Sequence, residues 1–166
     1  MISLKPSVLA LSALLVFAPL AARAAEPAPP PSANSGVIRI KSDFGMDETL
    51  ARIKKDIQTK GIRFFDEIDQ AQLGAGAGIK LHPSVLVLFG NPPLGVQFLT
   101  ASPYAGLDWP VRMLVFQDDA DQVWIAYTDF AYIGKRHHLR DRDAQLKMAS
   151  EVAASIASSA QSSSHP

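Results

Sequence analysis

Cysteine is absent from the 166-residue sequence, and this absence removes several classes of protein at once. Without cysteine the chain has no disulfide bond, no thiol nucleophile and no thiolate ligand for zinc. An excess of either charge is also missing, since 16 lysine and arginine residues face 16 aspartate and glutamate residues. A nucleic-acid or anionic-membrane partner needs a clustered basic surface. The composition therefore predicts neither kind of partner.

Long apolar runs are missing beyond the first 20 residues. The one such run, residues 8–20, follows Lys5 and precedes Ala22-Arg23-Ala24, which offers a small-x-small cleavage site. This is the layout of a secretory signal peptide, and the run is shorter than the roughly 20 residues of a membrane span. We predict a signal peptide over residues 1–24 and a periplasmic location, with an uncleaved membrane anchor as the alternative.

Cleavage after Ala24 would leave 142 residues, of which 14 are basic and 16 acidic, because Lys5 and Arg23 are removed. That length suits one domain with its own core. Residues 25–35 are proline-rich and polar, which is typical of a linker. We predict a single domain over residues 36–157, followed by a serine-rich, disordered tail over residues 158–166.

Apolar patterning predicts five strands, at residues 37–41, 62–68, 84–89, 111–117 and 123–128. Helical spacing predicts a helix over 46–60, capped by Asp43 or Ser42 and stopped by Gly61, and a C-terminal helix over 141–156. Strands and helices do not alternate steadily. The order therefore predicts an α+β domain with a mixed, mostly antiparallel sheet of about five strands, a helix after strand one and a long C-terminal helix.

Residues 85–116 contain two turn signatures between predicted strands. The first, Gly90-Asn91-Pro92-Pro93, leads into a possible helix start, where free backbone N–H groups bind anions. The two prolines remove donors from that site, so a structural turn is favoured. In the second signature, Asp108 and Arg112 flank Trp109. Arg112 either binds a ligand carboxylate bidentately or forms an internal ion pair with Asp108, and its apolar surroundings favour the ion pair.

His137 and His138 are adjacent and lie among basic residues. Histidine is a common ligand of metals and haem iron, but neighbouring histidines seldom point at one ion and no HExxH spacing is present. The sequence therefore favours solvated surface histidines over a haem or metal site. Asp69 ends a predicted strand with Asp66 and Glu67, and paired carboxylates can perform acid–base work. No G-x-S-x-G elbow accompanies them.

The sequence resembles the bacterial family known as domain of unknown function 302. The resemblance rests mainly on Leu88-Phe89-Gly90-Asn91-Pro92 and Leu107-Asp108-Trp109-Pro110-Val111-Arg112, with Val123-Trp124-Ile125-Ala126-Tyr127 further on. It implies a compact α+β domain that is often a dimer, and it implies no established activity. Gln70 stands where many members have histidine, which argues against a shared mechanism through that position.

The leading hypothesis is an exported, non-enzymatic domain that binds a small apolar or carboxylate ligand, or a partner, with Asn91, Asp108, Arg112 and Trp109 at the site. One alternative is an enzyme of unknown chemistry that uses Asp69, Asp108 and Arg112. Another is haem or metal binding through His137 and His138. A homodimer is compatible with all three hypotheses, and the sequence names no cofactor.

Overall fold

The structure is a computed structural model that describes residues 31–32 and 34–162. The predicted signal peptide (residues 1–24), most of the predicted linker and residues 163–166 lie outside this range. Within it, no helix is both long and apolar enough to cross a membrane.

Five strands form one antiparallel sheet, which confirms the predicted α+β class. They are β1 (Val37–Lys41), β2 (Arg63–Asp69), β3 (Ser84–Gly90), β4 (Val111–Gln117) and β5 (Val123–Thr128), in the spatial order β1-β5-β4-β3-β2. Every neighbouring pair is antiparallel, and β4 and β5 form a hairpin. The central strand is β4.

Five α-helices accompany the sheet in the described residues: α1 (Met46–Thr59), α2 (Gln70–Gly76), α3 (Pro92–Ala101), α4 (Phe130–Arg136) and α5 (Asp143–Ser158). A short 3-10 helix, Pro103–Leu107, precedes β4. Four of the helices, all except α2, supply buried residues to one core. The sheet residues of this core alternate along β3 and β4, for example Val87 and Phe89, or Met113 and Val115, so one face of the sheet is covered by helices.

The start of α1 differs from the prediction. Its N-cap is Gly45 and no side chain caps it. The Ser42 hydroxyl is buried and lies 2.6 Å from the Thr49 hydroxyl, and Asp43 accepts a bond from the Ser162 backbone. Both predicted caps therefore hold other contacts. The end of α1 was predicted correctly, because Gly61 follows it with φ of +63°, the left-handed conformation that glycine favours.

The ordered chain extends past residue 157, where the predicted domain ended. Ala160 is fully buried, and its carbonyl accepts a bond from the Asp43 backbone at 3.1 Å. A backbone carbonyl that is buried and paired belongs to the folded domain. The predicted disordered tail is therefore corrected for residues 158–162.

Candidate functional site

The two turn signatures lie side by side at one end of the sheet. Phe89 pairs with Val111, so the turn that follows β3 and the turn that precedes β4 are neighbours. Asn91 is the N-cap of α3. The block that the sequence singled out therefore builds one continuous surface at this end of the sheet.

Trp109 occupies a slot that two glycines provide. A Cβ atom at Gly95 would collide with the indole nitrogen, and one at Gly90 would lie 3.0 Å from it. The ring of Phe65 meets Trp109 edge-on, with 5.8 Å between the ring centroids. The spacing of Gly90 and Gly95 thus serves the close approach of the indole, and the motif is a packing device as well as a turn.

A cavity of about 330 Å³ opens beside Trp109. Its walls come from the end of the sheet and from α3 and α5, and they are mainly apolar; they include Phe89, Leu94, Phe98, Val111, Phe130, Ala149 and Val152. A mainly apolar concavity of this size lies within the range of small-molecule sites in proteins.

Two polar side chains lie where this cavity meets solvent, because Asn91 and Lys60 are exposed residues of the lining. The Asn91 side chain does not cap its helix, and the indole N–H of Trp109 bonds to no residue that the structure describes. Lys60 is paired with Asp56 at 2.5 Å. The cavity mouth therefore offers hydrogen-bond donors that the described fold does not fully use.

Asp108, one residue before Trp109, has a contrasting environment. Its side chain is 3% exposed, and Arg112 Nη2 donates to its Oδ1 atom at 2.6 Å. His137 donates through Nε2 to Oδ2 at 2.5 Å, and Arg136 Nη1 lies 3.3 Å from the same oxygen. These partners lie on β4 and α4, so the Asp108 carboxylate joins the turn, the sheet and a helix.

The Asp108 cluster is closed to substrates. The space next to Asp108 and Arg112 measures about 10 Å³, which holds at most one water molecule. The buried carboxylate is held in place by bonds to Arg112 and His137 and by the nearby Arg136 guanidinium, so its charge is compensated within the fold. The arrangement matches the internal ion pair that the sequence favoured, and its chemistry is structural.

The structure divides the four predicted ligand-binding residues into two pairs. Asn91 and Trp109 line the cavity, whereas Asp108 and Arg112 lie outside it. Val111 and Phe130 line both spaces and separate them. Of these four residues, a ligand in the cavity would therefore meet Asn91 and Trp109.

His137 was predicted as a solvated surface histidine, and this prediction was wrong. The residue is 8% exposed and bonds to Asp108, whereas His138 is exposed. His137 is buried because it follows directly after α4, and Phe130 and Ile133 anchor that helix in the core. Among the described residues, no group of three or more potential ligands could hold a metal ion, so the alternative of a metal site on these histidines gains no support from the geometry.

Asp69, proposed for an enzyme, lies far from Asp108 and Arg112. It is the N-cap of α2, where its side chain accepts a bond from the Gln72 backbone at 2.9 Å. Asp69 pairs with Val85, while Arg112 pairs with Leu88. Three residues along the strands and two strand spacings separate Asp69 from Arg112, which is roughly 14 Å between Cα atoms. These three residues do not share one site.

Sequence reasoning missed His137 and Arg136 as partners of Asp108, and Lys60 at the cavity. His137 is 29 residues from Asp108, and no spacing rule connects a turn before one strand with a helix after the next. Lys60 was read only as the end of a helix. One signal was available. Because β4 and β5 are antiparallel, the start of β4 and the end of β5 lie at the same end of the sheet.

The model of the family described as Domain of unknown function DUF302 matches residues 38–161. The chain belongs to this family. The DUF302 match covers β2 to β5, all of β1 except Val37, and both signature turns. It therefore confirms the resemblance that those turns had suggested.

A solved DUF302 structure has the same fold. The crystal structure of an uncharacterized conserved protein DUF302 from Bacillus stearothermophilus superposes with a TM-score of 0.69 and 14% identity, covering 75% of this chain and 98% of that chain. At this identity the likeness shows the fold alone.

Curated relatives of this DUF302 chain carry the name of a fluoride channel. Fluoride-specific ion channel FluC 1 of Brucella suis biovar 1 is 32% identical over 113 residues, which are 66% of this chain and 44% of that protein. Fluoride-specific ion channel FluC 2 of Brucella melitensis biotype 1 is also 32% identical, over 42% of its length. The chain thus spans less than half the length of these relatives.

Proposed function

We propose that this chain is an exported, non-enzymatic binding protein of the bacterial periplasm, which holds a small apolar ligand in the cavity beside Trp109. The observation that carries the proposal is the cavity itself: its walls are apolar and its mouth gathers a few polar groups. Small-molecule sites combine these two properties, because apolar walls supply affinity and a few polar groups fix orientation.

The size and the polar groups of the cavity define the ligand class. A cavity of about 330 Å³ lies at the lower end of the range of about 300–1,000 Å³ for small-molecule sites, so we expect a small ligand. The mouth supplies donors from the Asn91 amide and the ammonium group of Lys60. Donors favour an acceptor, and charged donors strengthen the bond. We therefore expect an apolar body with a carboxylate head.

The environment of Asp108 favours binding over catalysis. An acid–base or nucleophilic site needs reactive groups within about 3 Å of a reacting atom. The Asp108–His137 pair is buried, and the adjacent space holds at most one water molecule. The accessible cavity is lined mainly by apolar groups, which suit retention of a ligand.

Export rests on the sequence. The basic residue, apolar run and small-x-small site within residues 1–24 support secretion. Fluoride conduction, named for the Brucella relatives, is not carried over to this chain, because the match spans less than half of each relative.

Tryptophan fluorescence tests the ligand proposal directly. The sequence has two tryptophans, and Trp124 lies on β5, away from the cavity lining. Trp124→Phe therefore leaves Trp109 as the only reporter. Titration with decanoate should shift its emission saturably, and decanol, which lacks the carboxylate, should bind more weakly. A broad screen of apolar acids and lipids that changes neither emission nor melting temperature would overturn the proposal.

A cavity-filling variant supplies the matched control. Ala149 lines the cavity from α5, whereas Ala154 is exposed on the same helix. Ala149→Leu should abolish the decanoate signal, while Ala154→Leu should retain it. Circular dichroism establishes that both variants are folded. Equal binding by the two variants would place the ligand elsewhere and contradict the proposed site.

A further inference from the structure

A second concavity lies between α4 and α5 and is separate from the cavity beside Trp109. It measures about 520 Å³, and the two linings share no residue. Adjacent residues of the helices belong to different spaces, because Ala131 and Ser150 line the second concavity whereas Phe130 and Ala149 line the first. We call the second concavity the basic pocket, after the four basic residues of its lining: Lys135, His138, Arg140 and Lys147.

The near-zero charge of the whole chain conceals a local excess of cations around the basic pocket. Residues 135–147 contain five lysine and arginine residues and two aspartates. Two of these five cations hold the fold together. Arg136 Nη1 lies 3.3 Å from Asp108, and Arg142 Nε donates to the Gln97 carbonyl at 3.0 Å. The other three cations line the basic pocket.

The three lining cations have a weak partner or none. Lys135 and Arg140 are exposed, and neither forms an ion pair with a residue that the structure describes. Lys147 pairs with Glu151, and both side chains are more than half exposed. Exposed pairs of this kind contribute little to stability. Because a cleft lined by one sign of charge concentrates ions of the opposite sign, the basic pocket is suited to an anion.

The connection between the two helices brings these side chains together. Residues 137–142 separate the end of α4 from the start of α5, and within them His138 and Asp141 have left-handed φ angles of +52° and +56°. This conformation is uncommon outside glycine, although histidine and aspartate adopt it more readily than most residues. Around these two turns, the lining draws on α4, on the connection and on α5.

The lining also has an apolar part. Leu139 is buried and Leu146 is half-buried. A Cβ atom at Gly134 would lie 2.6 Å from Leu146 Cδ1, so the lack of a side chain at Gly134 lets α4 and α5 approach closely here. Apolar surface beside a few charged groups is the usual composition of a site for an organic ligand. The basic pocket therefore favours an anion that carries an organic group over an inorganic ion.

The charges of the lining favour phosphate over carboxylate. The three cations and one carboxylate, Asp143, leave two net positive charges, apart from His138. A phosphate monoester carries about −1.5 to −2 charges near pH 7, whereas a carboxylate carries only one. Asp143 lies in the first turn of α5, where a carboxylate interacts favourably with the helix dipole. Its place in the lining therefore has a structural reason, and the excess positive charge is left for a ligand.

We propose that the basic pocket binds a phosphate monoester on a small organic group. Lys135, Arg140 and Lys147 surround the phosphate, because lysine and arginine are the common phosphate-binding side chains. Leu139 and Leu146 contact the organic group. The same phosphate group occurs in soluble esters and in the headgroup of phosphatidic acid. The site is independent of the ligand cavity beside Trp109.

Isothermal titration calorimetry with phenyl phosphate tests the proposal on the purified chain. The wild type should bind phenyl phosphate saturably, and benzoate, which has the same ring and one charge, more weakly. Lys135→Gln/Arg140→Gln removes two charged donors and should raise the dissociation constant at least about tenfold. Lys80→Gln is the matched control, because Lys80 is an exposed lysine outside the lining, and it should bind as the wild type does.

Two results of the calorimetry overturn the proposal. If the folded double variant binds phenyl phosphate as tightly as Lys80→Gln does, the lining cations do not hold the phosphate. If benzoate binds as tightly as phenyl phosphate, the pocket does not recognise a phosphate group. Circular dichroism and the decanoate titration establish that the double variant is folded, since neither substituted residue lines the cavity beside Trp109.

Vesicles distinguish the two sources of the phosphate. The chain is sedimented with vesicles of phosphatidylcholine alone and of phosphatidylcholine mixed with phosphatidic acid. Binding of phenyl phosphate assigns the pocket to soluble esters, whereas binding only to the vesicles with phosphatidic acid assigns it to a lipid headgroup. Binding to neither overturns the proposal.

Ala149→Leu separates the basic pocket from the cavity beside Trp109. This variant fills the cavity and leaves the lining of the basic pocket unchanged, so its affinity for phenyl phosphate should equal that of the wild type. Loss of phenyl phosphate binding in Ala149→Leu would place the ester in the cavity and overturn the proposal. Failure of the decanoate titration, by contrast, affects only the proposed function.

Discussion

Asp108 and Trp109 are neighbours in the chain, and their surroundings differ sharply. The Asp108 carboxylate is buried among Arg112, Arg136 and His137. The Trp109 indole lies against two glycines, and its N–H group bonds to no described residue. Val111 and Phe130 stand between the two environments. One turn therefore carries a closed ionic cluster on one side and an open apolar cavity on the other.

The contrast separates stability from function. Buried polar groups whose bonds are all made hold a structure in one conformation. Polar groups that face an apolar cavity without partners are available to a ligand. We therefore expect substitutions of Asp108 to act on the free energy of unfolding, and substitutions around Trp109 to act on binding.

The largest expected loss in the free energy of unfolding comes from breaking the ionic cluster around Asp108. Asp108→Ala removes a charge-assisted bond to Arg112, worth about 1.5–3 kcal/mol, and leaves buried His137 without its acceptor, which costs about 1–3 kcal/mol more. Urea denaturation measures the loss. Asp119→Ala is the matched control, because Asp119 pairs with His82 at the surface, with both side chains more than half exposed, and exposed pairs contribute about 0–1 kcal/mol. Similar costs for the two variants would show that the cluster does not stabilise the turn.

A smaller loss in the free energy of unfolding is expected when the slot that holds Trp109 is narrowed. Gly95→Ala adds a Cβ atom against the indole, and overpacking of this kind costs about 1–3 kcal/mol. At Gly76 of α2 the same change meets no atom within 4 Å, and alanine there should be neutral or stabilising by up to about 1 kcal/mol. The double variant Gly95→Ala/Trp109→Ala should cost less than the sum of its parts. Additive costs, measured by urea denaturation, would mean that Gly95 does not serve Trp109.

The smallest expected effect is a change in the pH dependence of stability, and it distinguishes Trp124 from Trp109. The Trp124 indole N–H donates to Asp118 at 2.6 Å, and this bond lowers the pKa of Asp118 below its ordinary value of 3.8. The lowered pKa contributes stability that is fully present above about pH 3.8 and is lost as the pH falls through the lower, folded-state pKa. Trp124→Phe should therefore weaken the dependence of stability on pH below that value.

Trp109→Phe provides the control for this experiment, because its N–H group bonds to no described carboxylate. The pH dependence of the urea midpoint, measured from pH 2 to pH 5 for both variants, should weaken only in Trp124→Phe. An equal change in Trp109→Phe would show that the indole of Trp109 also interacts with an acid.

The strands and the family were predictable because local patterns specify them. Alternating apolar residues set β1, β4 and β5, and Gly61 ended α1 through a backbone conformation that only glycine adopts easily. Asn91 and Trp109 line a cavity, and their role as ligand-binding residues stays a prediction, made because turns at the end of a strand commonly carry ligands.

The partners of Asp108 were not predictable from local patterns. His137 reaches Asp108 only after α4 has packed on the core, and its basic neighbours suggested a solvated segment. The side chains of consecutive residues in a turn can point in opposite directions. Which direction each one takes depends on the residues that pack against the turn from either side. For that reason the sequence grouped Asp108 with Trp109, whereas the structure separates them.

The ends of the described domain leave from opposite ends of the sheet. Val37 lies in the row of Leu88 and Arg112, at the end of the sheet that holds the cavity but on the opposite edge, whereas Ala160 and Ser162 contact Asp43 beyond the far end of β1. A tag, fusion or surface attachment placed ahead of β1 would thus leave from the same end of the sheet as the cavity. Immobilisation through the C-terminus would leave the mouth accessible, so the choice of attachment point would itself alter any binding measurement.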